Sequence, residues 1–464
     1  MSQTMNEKPA FSLAYAVGYF ICVSGFVLCV TAFYPGFMSP DSISQLTEAR
    51  AWNFTDWHPP AMAALWGVVD KVVPGPFGML LLHNVAFWGA ALLFWHYTKR
   101  KSVLLGLGLA ALGFMPQVLS NLNTIWKDTG LGVSLFLVSA LLYVACQTKS
   151  KIALILTLPF IFYAYAVRLN AAPAILPIAL WSGFIACRVF PGLKTNTARF
   201  KFLPVVIGIA YFLFLSAAVM FTTAILIKGK KNYAAQQVWF HDLAAISKAN
   251  GRSAFPDFVS SRSNFSLENI SAQYRPDLAT SLYSTDQTGL NMIGNPPQIS
   301  ELRTAWLKAV LGNGMIYLAH RWDVYKVITG FNTQNVCYPF LLASYPSYQL
   351  GYSVAQGSVA QSLIVYFRYF ERSVLFRGFF WILLSLGLVY LSIRGRLNGD
   401  LETAFVLSLS GLLYGVGYFF YAPSCDFRFL WWTMISASVS LMFFVAYVAG
   451  HWLNGRRAQA AQAS

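Results

Sequence analysis

The segment "MSPDSISQLTEARAWNFTDWHPP", residues 38–60, places carboxylates and a histidine between two stretches that are apolar enough to cross a bilayer. Ser39 is a natural helix N-cap, Pro40 suits the first helical position, and Asp41 falls in the first turn, where the helix dipole favours a carboxylate. This helix start would hold the Asp41 carboxylate close to the membrane surface. Asp41 is therefore a candidate catalytic carboxylate, with a second capping group as the alternative.

The end of this loop, "DWHPP", brings three more polar candidates to a sharp turn. The proline pair breaks the chain and starts the helix "AMAALWGVVDKVV", which leaves Asp56 and His58 near the turn. We expect ligand contacts at both residues. Trp57, between them, can serve as a sugar platform or as an anchor at the membrane interface.

Three other short loops each place a cation beside a polar group at the end of an apolar stretch. The pairs are Lys127 with Asp128 in "NTIWKDTG", Arg168 with Asn170 in "YAVRLNAAP", and Asp426 with Arg428 in "SCDFRFLWW". One such pair alone is explained by a snorkelling anchor. Charges beside the hydrocarbon are rare and mark functional pathways, so charges from four loops on one side indicate a site for an anionic lipid headgroup beside a carboxylate.

The composition places these loops in a polytopic membrane protein. The 464 residues are 57% hydrophobic and only 11% charged, whereas ordinary soluble proteins have about 25% charged residues. The net charge of +16 does not come from a basic run on a soluble domain, so no nucleic-acid partner is expected. We predict about ten transmembrane helices, each near the roughly 20 residues that span a bilayer: Phe11 to Tyr34, Phe77 to Trp95, Ser102 to Leu119, Thr129 to Cys146, Ile152 to Val167, Ala171 to Phe190, Phe202 to Ile227, Val374 to Ile393, Thr403 to Tyr421 and Phe429 to Trp452.

The positions of the basic residues predict the orientation, because cytoplasmic loops carry the excess of Lys and Arg. With the N-terminus inside, the cytoplasmic side holds Lys8, Lys99, Arg100, Lys101, Lys149, Lys151, Arg188, Lys194, Arg199, Lys201, Arg394, Arg396, Arg456 and Arg457. The short loops on the other side hold only Arg50, Lys71, Lys127, Arg168 and Arg428. Both termini are therefore predicted to be cytoplasmic, and residues 38–60 to face outward.

The order of apolar and polar segments predicts an all-α protein in three parts. Residues 1–227 form a transmembrane bundle that includes the first external loop, residues 35–76. Residues 228–370 are polar, and "AAQQVWFHDLAAISKAN" and "ISELRTAWLKAVLGNGMIYLAH" carry apolar residues at helical spacing, which predicts an external, mostly helical domain. Residues 371–464 return to membrane helices and end in a cytoplasmic tail.

The cysteines indicate no metal site. Cys337 and Cys425 both fall on the predicted outer side, where thiols oxidise, so a disulfide between the external domain and the loop before the last span and a pair of free thiols both remain open. The other four lie in or at the ends of spans, as small apolar side chains do. No cysteine spacing resembles a zinc site, and no Gly-rich phosphate loop is present.

The chain resembles the GT-C superfamily of integral membrane glycosyltransferases. The shared features are a first span, an external loop with an early Asp, an interfacial helix, a Pro-Pro turn before the second span, and a large outer domain late in the chain. The strongest part is "PDSISQLTEARAWNFTDWHPPAMAALW", which is similar to the first loop of lipid A aminoarabinose transferases and protein mannosyltransferases. Size and span number also resemble those of serotype-converting O-antigen glucosyltransferases.

The resemblance implies a polyprenyl-phosphate sugar as donor, a cell-envelope glycan such as O-antigen as acceptor, and inverting transfer on the periplasmic side of a bacterial inner membrane. It implies that Asp41 is the catalytic base, and we place Asp56 beside it as a second catalytic candidate. The usual second acidic residue next to the base is replaced by Ser42, and one carboxylate is a poor site for a divalent metal without help from Asp56 or Asp128. We therefore assign no metal and no other cofactor.

The leaving group of such a reaction is a lipid phosphate, whose developing charge Arg and Lys can stabilise. We expect Lys127, Arg168 and Arg428 to bind this phosphate, with Arg321 in "YLAHRWDVYK" as a fourth residue. An apolar groove between the spans would hold the lipid tail. The residues expected to bind substrate are Trp57, His58, Asp128 and Asn170.

Two other classes remain open. A transporter or flippase for a lipid-linked or small anionic substrate would place ionisable residues near the middle of the membrane. His83 and Asn84 are the main polar pair inside a predicted span, although polar packing also explains them. A membrane O-acyltransferase would need a His deep in the membrane or a nucleophile with a paired base.

Overall fold

The computed structural model describes residues 13–193, 202–284, 286–331, 337, 339–347, 350–352, 357–395, 397 and 399–463. These residues form α-helices, short 3₁₀ turns and connecting loops, and contain isolated β-bridges but no strand. The helices are α1 Leu13–Ala32, α2 Pro40–Ala51, α3 Ala61–Val69, α4 Phe77–Thr98, α5 Val103–Ala111, α6 Pro116–Leu122, α7 Lys127–Thr148, α8 Lys151–Val167, α9 Ala172–Val189, α10 Leu203–Ile227, α11 Gln236–Asn250, α12 Asp257–Ser260, α13 Leu267–Gln273, α14 Pro296–Gly312, α15 Gly314–Thr329, α16 Ser358–Phe370, α17 Gly378–Arg394, α18 Gly399–Tyr421 and α19 Trp431–Ala463.

The protein is an all-α, multi-pass membrane protein. Within the described ranges, 7 helical segments are long and apolar enough to cross a membrane, and the number is 8 if the bent pair α5–α6 forms one span. The pair bends by 53° where Pro116 begins α6, because proline cannot continue the hydrogen bonding of the preceding helix. The predicted spans near 152–167 and 374–393 correspond to α8 and α17, which are shorter apolar helices, so ten spans remain a prediction.

Two boundaries differ from the sequence prediction. The predicted span from Val374 begins only at Gly378, after a short 3₁₀ turn, so Arg377 precedes the helix instead of lying inside it. The predicted cytoplasmic tail is helical, because α19 continues to Ala463. Of the basic residues that predict orientation, Lys8, Lys194, Arg199, Lys201 and Arg396 lie outside the described residues.

The membrane helices differ in how far the rest of the chain covers them. In α7, 89% of the most apolar window is buried, whereas the value is only 17% in α10, which therefore lies at the periphery. Close contact between α9 and α10 depends on Gly183 and Gly208, since a Cβ added at Gly183 would lie 2.7 Å from the Gly208 amide nitrogen. Small residues of this kind let membrane helices approach closely.

Helices α11 to α15 enclose a second hydrophobic core, separate from that of the bundle. Phe240 and Leu243 of α11 pack there with Leu302 of α14. The segments predicted to be amphipathic are indeed helical, although the second is divided into α14 and α15 at Asn313. The second core lies within the predicted external domain at 228–370.

The loops that were predicted to face outward meet at one end of the bundle. The backbone of Phe37 forms a bridge with the loop before α7, with hydrogen bonds of 2.8 Å to Asn123 and 3.0 Å from Ile125. The second core reaches the loop before α19 through a 2.9 Å bond from the Ala279 amide to the Pro423 carbonyl. This shared end therefore contains the first loop, the loop before α7, and the turn before α19.

A disulfide between Cys337 and Cys425 adds a covalent link at the same end, with Cα atoms 5.4 Å apart. The Cys425 amide also donates a 2.8 Å hydrogen bond to the Asp277 carbonyl. At the opposite end, Lys101 pairs with an acidic residue of α18 at 2.7 Å, as does Arg188 at 2.8 Å. Ion pairs therefore lie at both ends of the bundle.

Candidate functional site

Asp41 is positioned by the predicted start of α2. The Ser39 side chain accepts a hydrogen bond from the Ser42 amide at 3.3 Å, and the Ser42 hydroxyl accepts one from the Ser39 amide at 3.1 Å. This reciprocal cap fixes the first turn, and the Ser42 hydroxyl also donates to the Ile125 carbonyl at 2.7 Å. Ser42, which replaces the second acidic residue of the resembled pattern, thus attaches α2 to the loop before α7. Because Ser39 is the cap, Asp41 is free to contact other groups.

Arg428 comes from the turn Phe427–Leu430, just before α19, and contacts two carboxylates. Its Nη2 lies 2.7 Å from Asp41 Oδ2, and its Nε lies 2.7 Å from Asp426 Oδ2. The guanidinium lies over the Trp126 ring, 4.6 Å from the centroid, and the Trp126 indole N–H donates to the Ser39 hydroxyl at 2.9 Å. Stacking and ion pairing together fix the position of the guanidinium.

Asp128 and Arg168 form a more deeply buried pair beside Arg428. Arg168 Nε donates to Asp128 Oδ1 at 2.8 Å, and its Nη2 contacts the same oxygen. The Asp128 side chain is only 2% exposed, and its Oδ2 lies 3.7 Å from Arg428 Nε. Arg168 also packs over Phe429, 4.9 Å from the ring centroid. The buried pair joins the first turn of α7 to the loop before α9.

Lys127 meets His58 next to this pair. The Lys127 ammonium lies 2.6 Å from His58 Nδ1, and both side chains are buried. Burial lowers the pKa of His58 to about 3, and the charge of Lys127 acts in the same direction. His58 is therefore neutral at ordinary pH, and its Nδ1 accepts the hydrogen bond from Lys127. Lys127, which was expected to bind phosphate, and His58, which was expected to bind substrate, therefore contact each other.

We refer to Asp41, Lys127, Asp128, Arg168, Asp426 and Arg428 as the charged cluster. Burial favours neutral Asp41, but the positive charges of Arg428 and Lys127 outweigh it and hold the pKa of Asp41 well below its usual range. Burial raises the pKa of Asp426 to about 6, in spite of the opposing charge of Arg428. The two carboxylates that share Arg428 thus differ in how easily they take up a proton.

A cavity of about 170 Å³ opens onto the charged cluster. The Asp41 side chain is 33% exposed, so its carboxylate is accessible. Polar and aromatic groups border this space, and its lining residues are Ser39, Pro40, Asp41, Trp126, Phe340, Leu341, Tyr345, Asp426 and Arg428. The cavity therefore gives a substrate access to a carboxylate and a guanidinium at once.

Asp56 has another partner. Its Oδ1 accepts hydrogen bonds from the backbone N–H groups of Asn232 and Tyr233, the latter at 3.2 Å. These contacts attach the first loop to the chain just before α11. Neighbouring Trp57 donates its backbone N–H to the Thr55 hydroxyl at 3.3 Å. The structure does not bring Asp56 or Trp57 into the cavity, and we assign Asp56 a structural role in place of the expected catalytic one.

Arg321 and Asn170 also bind other parts of the protein. Arg321 is fully buried in α15, pairs with Asp242 at 2.6 Å and donates to the Ala422 carbonyl at 3.0 Å. Asn170 donates to the Tyr418 hydroxyl at 3.3 Å, near the charged cluster but not in it. The structure therefore separates Arg321 from the three basic residues with which it was grouped. The charge of Arg321 compensates Asp242 instead.

Trp126, which contacts Arg428 and donates to Ser39, was not selected from the sequence, although its position directly before Lys127 was a usable signal. Ser39 was expected as the cap of α2, and Asp426 was paired with Arg428 in one loop, but neither was assigned to catalysis or binding. His83 and Asn84 are the polar pair inside a predicted span. Packing explains Asn84, because its side-chain amide donates to the Leu80 carbonyl at 2.9 Å.

The cluster sets three carboxylates against three basic side chains, and Asp41, Asp426 and Arg428 line the cavity. Among the described residues, no group of three or more His, Cys, Asp or Glu side chains could hold a metal ion. No family model matches the chain, and no curated protein or solved structure has significant similarity to it.

Proposed function

We propose that this protein is a membrane glycosyltransferase that moves a sugar from a polyprenyl-phosphate donor to a cell-envelope glycan such as O-antigen, with inversion at the anomeric carbon. The observation that carries the proposal is the contact between Asp41 and Arg428 at the edge of one cavity. This reaction needs a proton acceptor for the attacking hydroxyl and a cation for the departing phosphate. Both groups lie together at the end of a membrane bundle.

Arg428 is the residue to which we assign the donor phosphate. A guanidinium offers five N–H donors in a planar fork that matches phosphate oxygens. Arg428 Nη1 makes no hydrogen bond to any described residue, and the side chain lines the cavity. Lys127 and Arg168 do not line the cavity but add positive charge beside it, which stabilises the phosphate as it gains negative charge.

Asp41 is the residue to which we assign proton abstraction from the acceptor hydroxyl. Its depressed pKa keeps the carboxylate ionised at neutral pH. Its place in the first turn of α2 fixes the direction of approach, because α2 is capped and attached to the loop before α7. General-base assistance of this kind contributes about 10²–10⁴-fold to a rate.

We place this end of the bundle on the periplasmic side of a bacterial inner membrane. The excess of Lys and Arg in the loops of the opposite end supports that orientation. Apolar surfaces between the helices would hold the polyprenyl tail of the donor. The cavity beside Asp41 would receive the acceptor sugar, with Trp126 and Tyr345 as aromatic walls.

The proposal is tested with purified protein in lipid nanodiscs, supplied with a panel of radiolabelled undecaprenyl-phosphate sugars and cell-envelope glycan. Transfer of label to glycan from one donor would support the proposal. A parallel assay in proteoliposomes measures movement of the same donors across the bilayer. Movement of a donor without transfer to any glycan would favour the transporter and contradict the glycosyltransferase.

A further inference from the structure

Two carboxylates hold Arg428 at different atoms and come from different parts of the chain. Asp41 contacts Nη2 from the first turn of α2, and Asp426 contacts Nε at 2.7 Å. Asp426 precedes Arg428 by two residues and caps the same turn, because its Oδ1 accepts the Arg428 backbone N–H at 3.4 Å. Asp426 therefore moves with Arg428, whereas Asp41 can separate from it.

The contact between Asp41 and Arg428 opposes the reaction that both residues serve. A carboxylate paired with a guanidinium is a weak proton acceptor, because the positive charge stabilises its ionised form. An incoming phosphate also needs the amino group that Asp41 occupies, since bidentate binding uses two N–H donors of the fork. The pair must therefore open before the hydroxyl of the acceptor can lose its proton.

We propose that Asp426 is a positioning residue, which keeps Arg428 in place through Nε while the donor phosphate replaces Asp41 on the guanidinium. This inference rests on the proposed function. The donor enters as a singly charged phosphodiester and binds the Nη edge of Arg428. Asp41, released from its partner, becomes a stronger base. The donor thus prepares the site before the acceptor is activated.

The transfer step then balances. The acceptor hydroxyl gives its proton to Asp41 as its oxygen forms a bond to the anomeric carbon. The bond from that carbon to the phosphate oxygen breaks, and its electron pair stays on the polyprenyl phosphate. The departing phosphate has one more negative charge than the donor had, and Asp41 is neutral. Arg428, still held by Asp426, stabilises the added charge.

The other neighbours of Arg428 cannot replace Asp426. The guanidinium carbon lies 4.6 Å from the centroid of the Trp126 ring and 5.7 Å from that of Phe429, and a ring face selects no single N–H of the fork. Asp128 lies 3.7 Å from Nε, is engaged by Arg168, and does not line the cavity. Of the charged residues that contact Arg428, Asp426 is the one that holds Nε from the same turn.

The first test compares the kinetics of Asp426→Ala and Asp426→Asn with those of the wild type. Asp426→Ala removes the carboxylate that forms an ion pair with Nε, and we expect the KM for the donor to rise at least about tenfold, about 1.4 kcal/mol, with a smaller change in kcat. Asp426→Asn keeps an acceptor oxygen and should recover most of the donor KM. A purely structural role would lower the folded fraction and leave the KM of the folded protein unchanged.

The second test measures equilibrium binding of radiolabelled undecaprenyl phosphate to wild type and Asp41→Asn in detergent micelles. Because a neutral amide in place of the Asp41 carboxylate would compete less with phosphate for Arg428, the variant should bind more tightly than the wild type by several fold, on the order of 1 kcal/mol. Equal or weaker binding by Asp41→Asn, or an unchanged donor KM in Asp426→Ala, would overturn the inference. The proposed function would still stand in that case if the wild type transfers sugar. A wild type that neither binds the phosphate nor transfers sugar contradicts both.

Discussion

Asp41 Oδ2 lies 2.7 Å from Arg428 Nη2, although the two residues are 387 positions apart in the chain. The contact joins the helix that follows the first membrane segment to the turn that precedes the last. Trp126 connects the two sides, since it stacks on Arg428 and donates to Ser39. The candidate site therefore forms only when the first and last parts of the bundle are assembled.

Replacement of Arg428 by Lys should lower kcat/KM for the donor by roughly 10²-fold, the cost of removing one donor to a developing charge. Lys keeps the charge, but it loses the planar fork and the stacking on Trp126. The steady-state kinetics of transfer measure this effect. Arg50→Lys is the matched control, because Arg50 pairs with Asp70 away from the cavity. Wild-type kinetics in Arg428→Lys would exclude bidentate phosphate binding.

The Tm of Asp426→Asn minus the Tm of the wild type should be larger at about pH 7.5 than at about pH 5. The pKa of Asp426 in the folded protein is raised to about 6, compared with about 3.9 in an unfolded chain. Between these values the folded state binds the proton more tightly, so the wild type loses stability as pH rises from about 4 to about 6. Asn has no such proton to lose. A difference in Tm between the two proteins that is the same at both pH values would contradict the raised pKa.

Arg321→Ala should destabilise the protein by about 3–5 kcal/mol, because it leaves the buried carboxylate of Asp242 without its main charge partner. The donor KM of the folded fraction should not change, since Arg321 lies away from the charged cluster. Thermal unfolding and steady-state kinetics measure the two effects separately. Arg303→Ala, on the exposed surface of α14, is the control. A stable variant with a raised donor KM would restore Arg321 to phosphate binding.

Reduction of the disulfide between Cys337 and Cys425 should lower Tm and the transfer rate together. The bond closes a loop with a sequence separation of 88 residues, and native disulfides commonly contribute about 2–4 kcal/mol. Cys425 directly precedes Asp426, so a looser loop would also loosen Arg428. Cys337→Ser should behave like the reduced wild type and show no further change with reductant. Mass spectrometry that finds both thiols free in air-oxidised protein would refute the bond.

The sequence predicts much of the local structure, because apolar length and capping residues act over short distances. The helix that starts at Pro40, the break before Ala61, and the membrane helices all follow from such signals. Which charged side chains contact each other depends on the tertiary fold and could not be predicted in this way. Asp56 and Arg321 have the residue types of a catalytic site, yet their charges serve the attachment and core of α11 and α15.

Asp426 illustrates the same point from the other direction. Its loop was identified from the sequence, but only the folded chain shows that its carboxylate contacts Arg428 Nε. The residue that follows Asp41 was expected to be acidic and is Ser42. The structure instead supplies a second carboxylate to the cavity from the other end of the chain.

The most direct measurement is transfer of radiolabelled sugar from undecaprenyl-phosphate sugars to cell-envelope glycan by wild type, Asp41→Asn and the control Asp56→Asn. Asp41→Asn keeps the shape of the side chain and removes the base, so we expect a loss of at least about 10²-fold in kcat. Asp56→Asn retains an oxygen that can accept from Asn232 and Tyr233, so its rate should stay close to wild type. Transfer by Asp41→Asn at the wild-type rate would contradict the account.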